Sequence, residues 1–382
     1  MYQLVRSLLF RLNPETAHDV TMDLLGAGER LGLIKPLVRP VPDRPVRVMG
    51  LTFPNPVGLA AGLDKDGECI NAFGRLGFGF VEVGTVTPLG QPGNPKPRLF
   101  RLVGHEAIIN RMGFNNKGVD HLVSHLEKAK TKAVIGVNIG KNKDTPVEKA
   151  NDDYIACLRK VYPWAGYVAV NLSSPNTPGL RELQFGEHLT SLLKALKNEQ
   201  NTLAKEYDRY VPIAIKLAPD MADDELREIA GQLVAHGIDG VIATNTTLER
   251  DAVAGHEHAD EQGGLSGRPL TALSTDKIRV LAEAVAGKIP VIGVGGIMNA
   301  ADAVEKIRAG ASLVQIYTGF IYKGTELIAE VAEAAGAELV SAGRTGFEKR
   351  VEEAAPEQRS EEQPVQKPVQ DEVTQELQPV TD

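Results

Sequence analysis

Residues 166–178 read GYVAVNLSSPNTP, in which a short β-branched run passes directly into hydrogen-bonding side chains. The run YVAVN lacks polar alternation, which is typical of a strand that is covered on both faces. Four polar side chains then take the place of the Gly or Asp turn that ordinarily ends a strand: Asn171, Ser173, Ser174 and Asn176. The stretch therefore predicts a buried strand whose end lies in polar surroundings.

Runs of this kind recur from residue 56 onward, separated by loops and helical patterns. The runs are PVGLAAG (56–62), FVEVGTV (80–86), AVIGVNIG (133–140), YVAVNLS (167–173), PIAIKLAP (212–219), GVIATNTT (240–247), PVIGVGGI (290–297) and SLVQIYTGF (312–320). Because the intervening helices can connect parallel strands, the pattern favours a closed (β/α)8 TIM barrel over an open doubly wound sheet. We predict this α/β barrel for residues 41–338, with a small hairpin at VRVMGLTF (46–53) closing its bottom.

The predicted strands end in polar or glycine-rich features. These are Lys65, Thr85, Asn138, Asn171, Lys216, Thr244-Asn245, Gly295-Gly296 and Tyr317. In a TIM barrel such ends surround one mouth, where ligands bind. A buried amide or ammonium group without a partner costs about 1–3 kcal/mol or more, so we expect a ligand rich in donors and acceptors at this mouth.

Glycines near the ends of the last two strands, together with GGLSGRP (263–269), let backbone N–H groups approach a phosphate. The ligand is therefore predicted to be phosphorylated. No GxGxxG motif with a following ribose-binding acid succeeds the first strand, which disfavours a nicotinamide dinucleotide. Four strand-end amides, at Asn138, Asn171, Asn176 and Asn245, suit a planar ring with N–H and C=O groups.

Two lysines at strand ends leave several kinds of chemistry open. Lys65 and Lys216 could form imines, bind phosphate, or stabilise a developing negative charge. Asp64 and Asp66 flank Lys65, which predicts that its ammonium group stays protonated. In INRMGFNN (109–116), Arg111 could pair with a carboxylate of the ligand or simply face solvent.

Charge and cysteine usage exclude several classes of function. The formal net charge is −8, and ten acidic against five basic residues from Ser341 onward place −5 of it at the C-terminal end. The rest of the chain is nearly neutral, which predicts no nucleic-acid partner. Cys69 and Cys157 lack CxxC spacing, so neither a disulfide framework nor a metal is predicted, and a reducing cytosol fits.

Residues 1–40 predict two amphipathic helices. One face of the first carries Met1, Leu4, Val5, Leu8, Leu9 and Leu12. Asn13, Pro14 and Glu15 are typical of the start of a second helix. The pair can pack on its own domain or lie flat on a membrane surface, and the pattern leaves both open. Residues 339–382 are rich in Glu, Gln, Pro and Val, which predicts a disordered acidic tail of unknown partner.

Ten segments together closely resemble dihydroorotate dehydrogenase of the quinone-dependent, membrane-associated class. They are AGLDKDGECI, EVGTVTPLGQPGNPKPRLFRL, INRMGFNNKGVD, VNIGKNKDTPVEKANDDY, VNLSSPNTPGLR, IKLAPD, GVIATNTTLER, GGLSGRPL, IGVGGI and LVQIYTGF. The resemblance extends to about Gly336, and the chain then continues beyond where family members stop. It implies a barrel that holds FMN and oxidises (S)-dihydroorotate to orotate in pyrimidine (UMP) biosynthesis. Electrons would pass to ubiquinone or menaquinone, with the protein peripheral to the cytoplasmic face of the cell membrane.

The resemblance also implies roles for individual residues. FMN would contact Ala61, Gly62, Leu63, Asp64, Lys65, Thr85, Asn138, Asn171, Lys216, Thr244, Gly267, Gly296, Tyr317 and Thr318. Dihydroorotate would contact Lys65, Asn110, Arg111, Met112, Gly113, Phe114, Asn171, Asn176, Asn245 and Thr246. Ser174 would be the base that takes a proton from the substrate, and Lys216 would stabilise the anionic reduced flavin. A quinone tunnel between the N-terminal helices would be lined by His18, Arg101 and Tyr317.

Three alternatives compete with this interpretation. A phosphate-binding aldolase or synthase would form an imine at Lys65 or Lys216. A non-catalytic barrel would use its tail as an interaction module. The dehydrogenase class with soluble acceptors would carry a cysteine in the loop of Ser174, whereas both cysteines of this chain lie elsewhere.

Overall fold

The computed structural model describes residues 2–34 and 38–346. Its strands are β1 Val46–Val48, β2 Leu51–Phe53, β3 Val57–Leu59, β4 Phe80–Val86, β5 Leu89–Gln91, β6 Leu99–Leu102, β7 Ala107–Asn110, β8 Asn116–Gly118, β9 Val134–Ile139, β10 Tyr167–Asn171, β11 Ile213–Leu217, β12 Gly240–Ala243, β13 Gly264–Gly267, β14 Val291–Val294 and β15 Ala311–Ile316. Its α-helices are α1 Tyr2–Leu9, α2 Pro14–Arg30, α3 Ile70–Arg75, α4 Val119–Leu126, α5 Ala150–Val161, α6 Gly186–Glu206, α7 Asp223–Ala235, α8 Thr271–Val285, α9 Ala300–Arg308, α10 Thr318–Lys323 and α11 Glu326–Ser341.

Eight parallel strands close into a barrel in chain order: β3, β4, β9, β10, β11, β12, β14 and β15. All five residues of β10 are buried, as are all of β11, because the strands are covered on both faces. This burial explains the missing polar alternation of the sequence. The predicted (β/α)8 barrel is therefore confirmed, and the hairpin predicted at residues 46–53 is formed by β1 and β2.

Short antiparallel sheets are added to the barrel. Strands β6, β7 and β13 form one, in which Asn110 is the register partner of Gly264, and β5 and β8 form another. The pairing of β7 with β13 brings the 110–116 loop next to the GGLSGRP segment, although the two lie far apart in the chain. Both segments therefore contribute to the same end of the molecule.

The N-terminal helices dock through polar contacts and leave apolar side chains in solvent. Asn13 caps α2 by accepting a hydrogen bond from the Glu15 amide at 3.0 Å. The Tyr2 hydroxyl donates to the Ile321 carbonyl at 2.6 Å and Arg6 donates to the Tyr322 carbonyl at 2.9 Å. The exposed apolar face consists of Leu4, Val5, Leu8 and Leu12 of the first helix and the following turn, and of Val20 and Leu24 on α2. None of the described helices combines the length and hydropathy needed to cross a bilayer.

The chain stays packed somewhat beyond residue 339, where the sequence predicts the tail to begin. Leu339 is fully buried and α11 continues to Ser341. Arg344 then donates to the carbonyls of Ile307, Gly310 and Ala311. The remaining part of the predicted acidic tail, residues 347–382, lies outside the described residues.

Candidate active site

A cavity of about 1010 Å³, including the part open to solvent, lies at the mouth of the barrel. It is lined by most of the residues that the sequence singled out. These are Ala61, Gly62, Lys65, Thr85, Asn110, Met112, Gly113, Phe114, Asn171, Ser174, Asn176, Lys216, Thr244, Asn245, Thr246, Gly267, Gly296, Tyr317 and Thr318. A single chamber therefore collects side chains from strand ends and loops that are distant in the sequence.

The barrel interior below this cavity contains a fully buried carboxylate, Glu82 of β4. Its Oε1 accepts a hydrogen bond from Asn138 at 2.8 Å. Its Oε2 accepts from the Tyr167 hydroxyl at 2.7 Å and from Gln315 at 2.6 Å. Burial and the neighbouring carboxylate raise the pKa of Tyr167 well above its usual value, so the tyrosine remains a hydrogen-bond donor to Glu82.

A chain of amides connects this carboxylate to the cavity. Asn138 accepts from the Thr85 hydroxyl at 2.6 Å, and Asn171 donates to the same hydroxyl at 3.0 Å. The Asn171 side-chain oxygen in turn accepts from Ser173 and, at 3.3 Å, from Asn245. Asn138 is fully buried and lies below the cavity wall, so it positions Thr85 and Asn171 without lining the cavity itself.

Two groups beside Glu82 in the cavity wall are left without a hydrogen bond to any residue that the structure describes. The Lys216 ammonium lies 3.7 Å from Oε1 of Glu82, its ion-pair partner, and donates no hydrogen bond. The Gln315 side-chain oxygen is buried and also has no partner. A buried polar group without a partner is costly. The Lys216 ammonium can donate to a ligand acceptor and the Gln315 oxygen can accept from a ligand donor. The two groups therefore fit a bound ring that carries both acceptors and donors, as the flavin ring does.

Lys65 lines the same cavity in a different electrostatic setting. Its carboxylate neighbour Asp64 is turned away and accepts from the Glu68 and Cys69 amides, both at 2.9 Å. Burial, aided by the charge of Arg98, lowers the pKa of Lys65, while Asp66 opposes the shift. The prediction that the flanking acids alone keep this lysine protonated therefore omits the larger effect of burial.

Glycines form one end of the cavity, next to the start of α10. At Gly296, with φ +68°, a Cβ atom would lie 2.3 Å from the Thr271 hydroxyl, and at Gly267 it would lie 2.9 Å from Thr318. No larger residue fits at either position without displacement. Behind this end, the buried Lys306 donates to Ser274 at 2.7 Å, and Ser274 donates to the Gly295 carbonyl at 3.0 Å. Backbone N–H groups at a helix start beside such glycines fit a phosphate.

Ser174 is nearly buried and lines the cavity. Its oxygen accepts a hydrogen bond from the Asn176 amide at 3.3 Å, so it also serves the turn around Pro175. Among the described residues nothing accepts the hydroxyl proton. The neighbouring Ser173 hydroxyl differs, because it is held between Asn171 and Asn245 in the amide network.

Four residues that the resemblance implied as cofactor or substrate contacts lie outside the cavity wall: Leu63, Asp64, Asn138 and Arg111. Arg111 points away from the cavity, where it pairs with Glu261 at 2.6 Å and donates to the Pro97 carbonyl at 2.8 Å. Its guanidinium also lies over the ring of Phe100. Asn110, the last residue of β7, therefore lines the cavity, whereas the next residue, Arg111, does not.

The three residues implied for a quinone tunnel lie near the N-terminal helices. His18 bonds to the Leu63 carbonyl at 2.7 Å, and the Tyr317 hydroxyl lies 3.4 Å from the Gly62 carbonyl. Burial, followed by the charge of Lys65, lowers the pKa of His18. Arg101 donates to the Leu9 carbonyl at 3.3 Å and to the Leu12 carbonyl. His18 and Tyr317 therefore contact the carbonyls of adjacent residues, Leu63 and Gly62, of which Gly62 lines the cavity. Arg101 fixes the turn between the two helices.

Comparison with known proteins decides the family. The sequence profile of the dihydroorotate dehydrogenase family matches residues 45–339. The chain belongs to the dihydroorotate dehydrogenase family. A protein of Saccharophagus degradans named dihydroorotate dehydrogenase (quinone) is 59% identical over 343 residues, which is 90% of this chain and 100% of that protein. One of Aeromonas hydrophila with the same name is 62% identical over 331 residues, covering 87% of this chain and 98% of that protein.

Solved structures agree with this assignment. The dihydroorotate dehydrogenase of Eimeria tenella in complex with ferulenol superposes with a TM-score of 0.79 at 40% identity, covering 88% of this chain and 96% of that one. The family predicted from the ten sequence segments is thus confirmed, and the relatives place the chain in the quinone class of the enzyme. Membership of this enzyme family decides against the aldolase or synthase and against the non-catalytic barrel.

Sequence reasoning missed four buried polar residues around the cavity: Glu82, Tyr167, Gln315 and Lys306. Each lies within a run or helix that reads as structural. Two of them could have been found from the sequence, because Glu82 in FVEVGTV and Gln315 in SLVQIYTGF are polar residues inside otherwise apolar strands. Buried charges are almost always paired, so such a residue predicts a partner elsewhere in the barrel.

Proposed function

We propose that this chain oxidises (S)-dihydroorotate to orotate, with FMN as the hydride acceptor and a membrane quinone as the final electron acceptor, in pyrimidine (UMP) biosynthesis. The observation that carries the proposal is a single cavity in which Lys65, Lys216 and Ser174 lie together with the amides of Asn171 and Asn245. Few other ligands would use two cations, several amides and a free hydroxyl in one chamber.

FMN, when bound, would supply the acceptor for the hydride and a store for its two electrons. The phosphate would be held at Gly267, Gly296 and Thr318, where the glycines leave room for close backbone approach. Thr85, Asn171, Lys216 and Thr244 would surround the ring together with the segment from Ala61 to Lys65. The Lys216 ammonium would favour negative charge next to it, because it lacks hydrogen bonds of its own and lies in a buried setting.

The substrate would be held by Lys65 together with amides on the opposite wall. The Asn176 side chain donates to the Asn110 carbonyl at 3.1 Å, which fixes the two residues relative to each other. Asn245 is fixed in the same way by its hydrogen bond to Ser173 at 3.0 Å. Amides oriented before the ligand arrives can recognise the alternating N–H and C=O groups of a dihydropyrimidine ring without further reorganisation.

Ser174 would remove the proton from the carbon next to the one that gives up the hydride. Its oxygen accepts only the Asn176 amide, at 3.3 Å, and a lone pair stays available toward the cavity. A hydroxyl is a weak base by itself, so it must pass its own proton on as it takes the new one. No described residue accepts that proton, which leaves water in the cavity as the relay.

The quinone would approach between α1 and α2, with the protein lying peripherally on the cytoplasmic face of the membrane. Leu4 and Leu8 are 74% and 63% exposed, on a helix that also carries Arg6. Such an apolar face beside basic residues suits the interface of a bilayer. His18 and Tyr317 contact carbonyls of the segment that also lines the cavity, and this supports electron transfer from the cavity toward the helix pair.

The proposal is tested by separating the two half-reactions in a stopped-flow instrument. Ser174→Ala should slow bleaching of the flavin by dihydroorotate by about 10²-fold or more, while reoxidation by decylubiquinone keeps its rate. Ser312→Ala is the matched control, since it removes a buried serine hydroxyl that lies outside the cavity wall. An unchanged bleaching rate in Ser174→Ala, or protein that binds no flavin, would refute the assignment. Fumarate and NAD in place of the quinone should support no turnover.

A further inference from the structure

A second cluster of titratable side chains lies outside the cavity, where α4 packs near the segment that follows Lys65. It consists of Glu68, His121 and His125. Within residues 2–34 and 38–346, this is the only group in which three His, Cys, Asp or Glu ligand atoms lie within 4.8 Å of one another. Neither the family assignment nor the proposed reaction uses these residues.

The two histidines are placed and oriented by α4. They are four residues apart, which puts both rings on one side of the helix, with centroids 4.7 Å apart. Nδ1 of His125 lies 3.2 Å from the His121 carbonyl, and since a carbonyl only accepts, Nδ1 carries the proton. The lone pair of His125 is therefore on Nε2, and a backbone carbonyl holds the ring in the manner common for histidine metal ligands.

His121 and Glu68 complete the group. Nε2 of His121 is buried, makes no hydrogen bond to a described residue, and lies 3.5 Å from Oε1 of Glu68. Oε1 of Glu68 accepts a hydrogen bond from the Lys117 ammonium. Two imidazole nitrogens and one carboxylate oxygen are the ligand set of many zinc sites.

We propose that Glu68, His121 and His125 bind a divalent transition-metal ion of the Zn²⁺, Ni²⁺ or Cu²⁺ class. Ligand atoms around a tetrahedral zinc ion are roughly 3.3 Å apart, so the separation of His121 from Glu68 already suits a shared ion. The three ligand atoms lie within 4.8 Å of one another, so His125 has to move closer to the other two ligands when the ion binds. Lys117, whose ammonium lies 2.5 Å from Oε1 of Glu68, competes with the ion and moves into solvent when it binds.

The ion would strengthen a contact that already exists at the rim of the cavity. The Lys117 amide donates to the Asp66 carboxylate at 2.8 Å, joining the segment after Lys65 to the start of α4. A metal bridging Glu68 to α4 ties the same two segments together by a second link. Because it binds the folded chain, it raises the midpoint of thermal unfolding as its concentration rises above the dissociation constant.

The test uses the full flavin-loaded chain without an affinity tag, treated with EDTA and dialysed. Titration with ZnCl₂ against a chromogenic zinc indicator should give one tight equivalent, and His121→Ala or His125→Ala should weaken it at least tenfold. His236→Ala is the matched control, since its Nδ1 likewise bonds to the carbonyl four residues earlier, at 2.9 Å from Gln232, and it should bind zinc like wild type. Lys117→Met should bind zinc several-fold more tightly, because the competing ammonium is gone.

Wild-type binding in both α4 histidine variants would overturn the proposal, and so would equal weakening in His236→Ala. Flavin content and circular dichroism show whether each variant is folded. Should a variant fail to fold, the unaltered chain still decides the matter. With one equivalent of Cu²⁺ its electron paramagnetic resonance spectrum should show coupling to two imidazole nitrogens, and a spectrum without nitrogen coupling would refute the site.

Discussion

The buried ion pair of Glu82 and Lys216 allows a quantitative test of how the barrel holds a cation under the cavity. The glutamate side chain is fully buried and that of the lysine is 6% exposed, with Nζ and Oε1 3.7 Å apart. The test is a double-mutant cycle of Glu82→Gln and Lys216→Met. Glutamine preserves the size of residue 82 and methionine preserves the length of residue 216, so the cycle removes charge with little change in volume.

The expected coupling follows from the distance. Two unit charges 3.7 Å apart attract each other by about 4.5 kcal/mol at an effective dielectric constant of about 20. Glu82 also accepts three hydrogen bonds, from Asn138, Tyr167 and Gln315, which spread its charge. We therefore expect a coupling of about 2–4 kcal/mol in the free energy of unfolding. Glu82→Gln alone should destabilise by about 3–5 kcal/mol, because it leaves the Lys216 ammonium buried without a counter-charge.

The assay is urea unfolding of the flavin-free proteins, followed by circular dichroism and by the fluorescence of Trp164, the one tryptophan in the chain. Tyr167→Phe combined with Lys216→Met is the control cycle, because Tyr167→Phe removes a hydrogen bond to the same carboxylate but leaves the charge of Glu82 in place. Its coupling should be less than half that of the main cycle. Additive effects of Glu82→Gln and Lys216→Met, within about 0.5 kcal/mol, would refute the electrostatic account.

Three further outcomes follow from individual contacts. Burial lowers the pKa of Lys306 to about 7, so the unfolded chain binds more protons than the folded chain between about pH 7 and 10. The free energy of unfolding should therefore rise by about 2 kcal/mol from pH 7 to pH 9. In urea titrations, Lys306→Met should not show this rise. In steady-state assays Arg111→Ala should leave KM for dihydroorotate within about threefold, whereas Asn176→Ala should raise it about tenfold by removing a half-buried hydrogen-bonding group from the cavity wall. Leu8→Glu should weaken sedimentation with lipid vesicles at least tenfold, and Gln3→Glu much less.

The barrel could be predicted from sequence because its signal is local. Each strand is a short apolar run that ends in a polar residue, and repetition of the unit identifies the fold. The apolar character of these runs also prevents the inward-facing residues from being identified. A strand that is buried on both faces has no polar alternation, so the sequence does not indicate which residues point into the barrel. Glu82 bonds to Gln315, which lies 233 positions later, and no local pattern connects the two.

Arg111 shows a second limit of sequence reasoning. It follows Asn110 directly and belongs to a segment that does line the cavity, so the family resemblance placed both with the substrate. The structure separates them, because consecutive residues of an extended chain point to opposite sides. Asn110 contacts Asn176 at the cavity, while Arg111 reaches Glu261 on the other side.

The hydrogen-bonding cluster that ends the YVAVN strand is explained differently from what the sequence suggested. The amide groups of Asn171 are satisfied inside the protein by Thr85, Ser173 and Asn245, so they need no ligand to offset the cost of burial. The cavity-lining groups without a hydrogen bond to a described residue are fewer: the Lys65 and Lys216 ammonium groups, the Gln315 oxygen and the Ser174 proton. Because these groups gain a hydrogen bond when a ligand binds, they should govern the affinity and the protonation of the ligand. The satisfied amides instead fix the geometry in which those groups are presented.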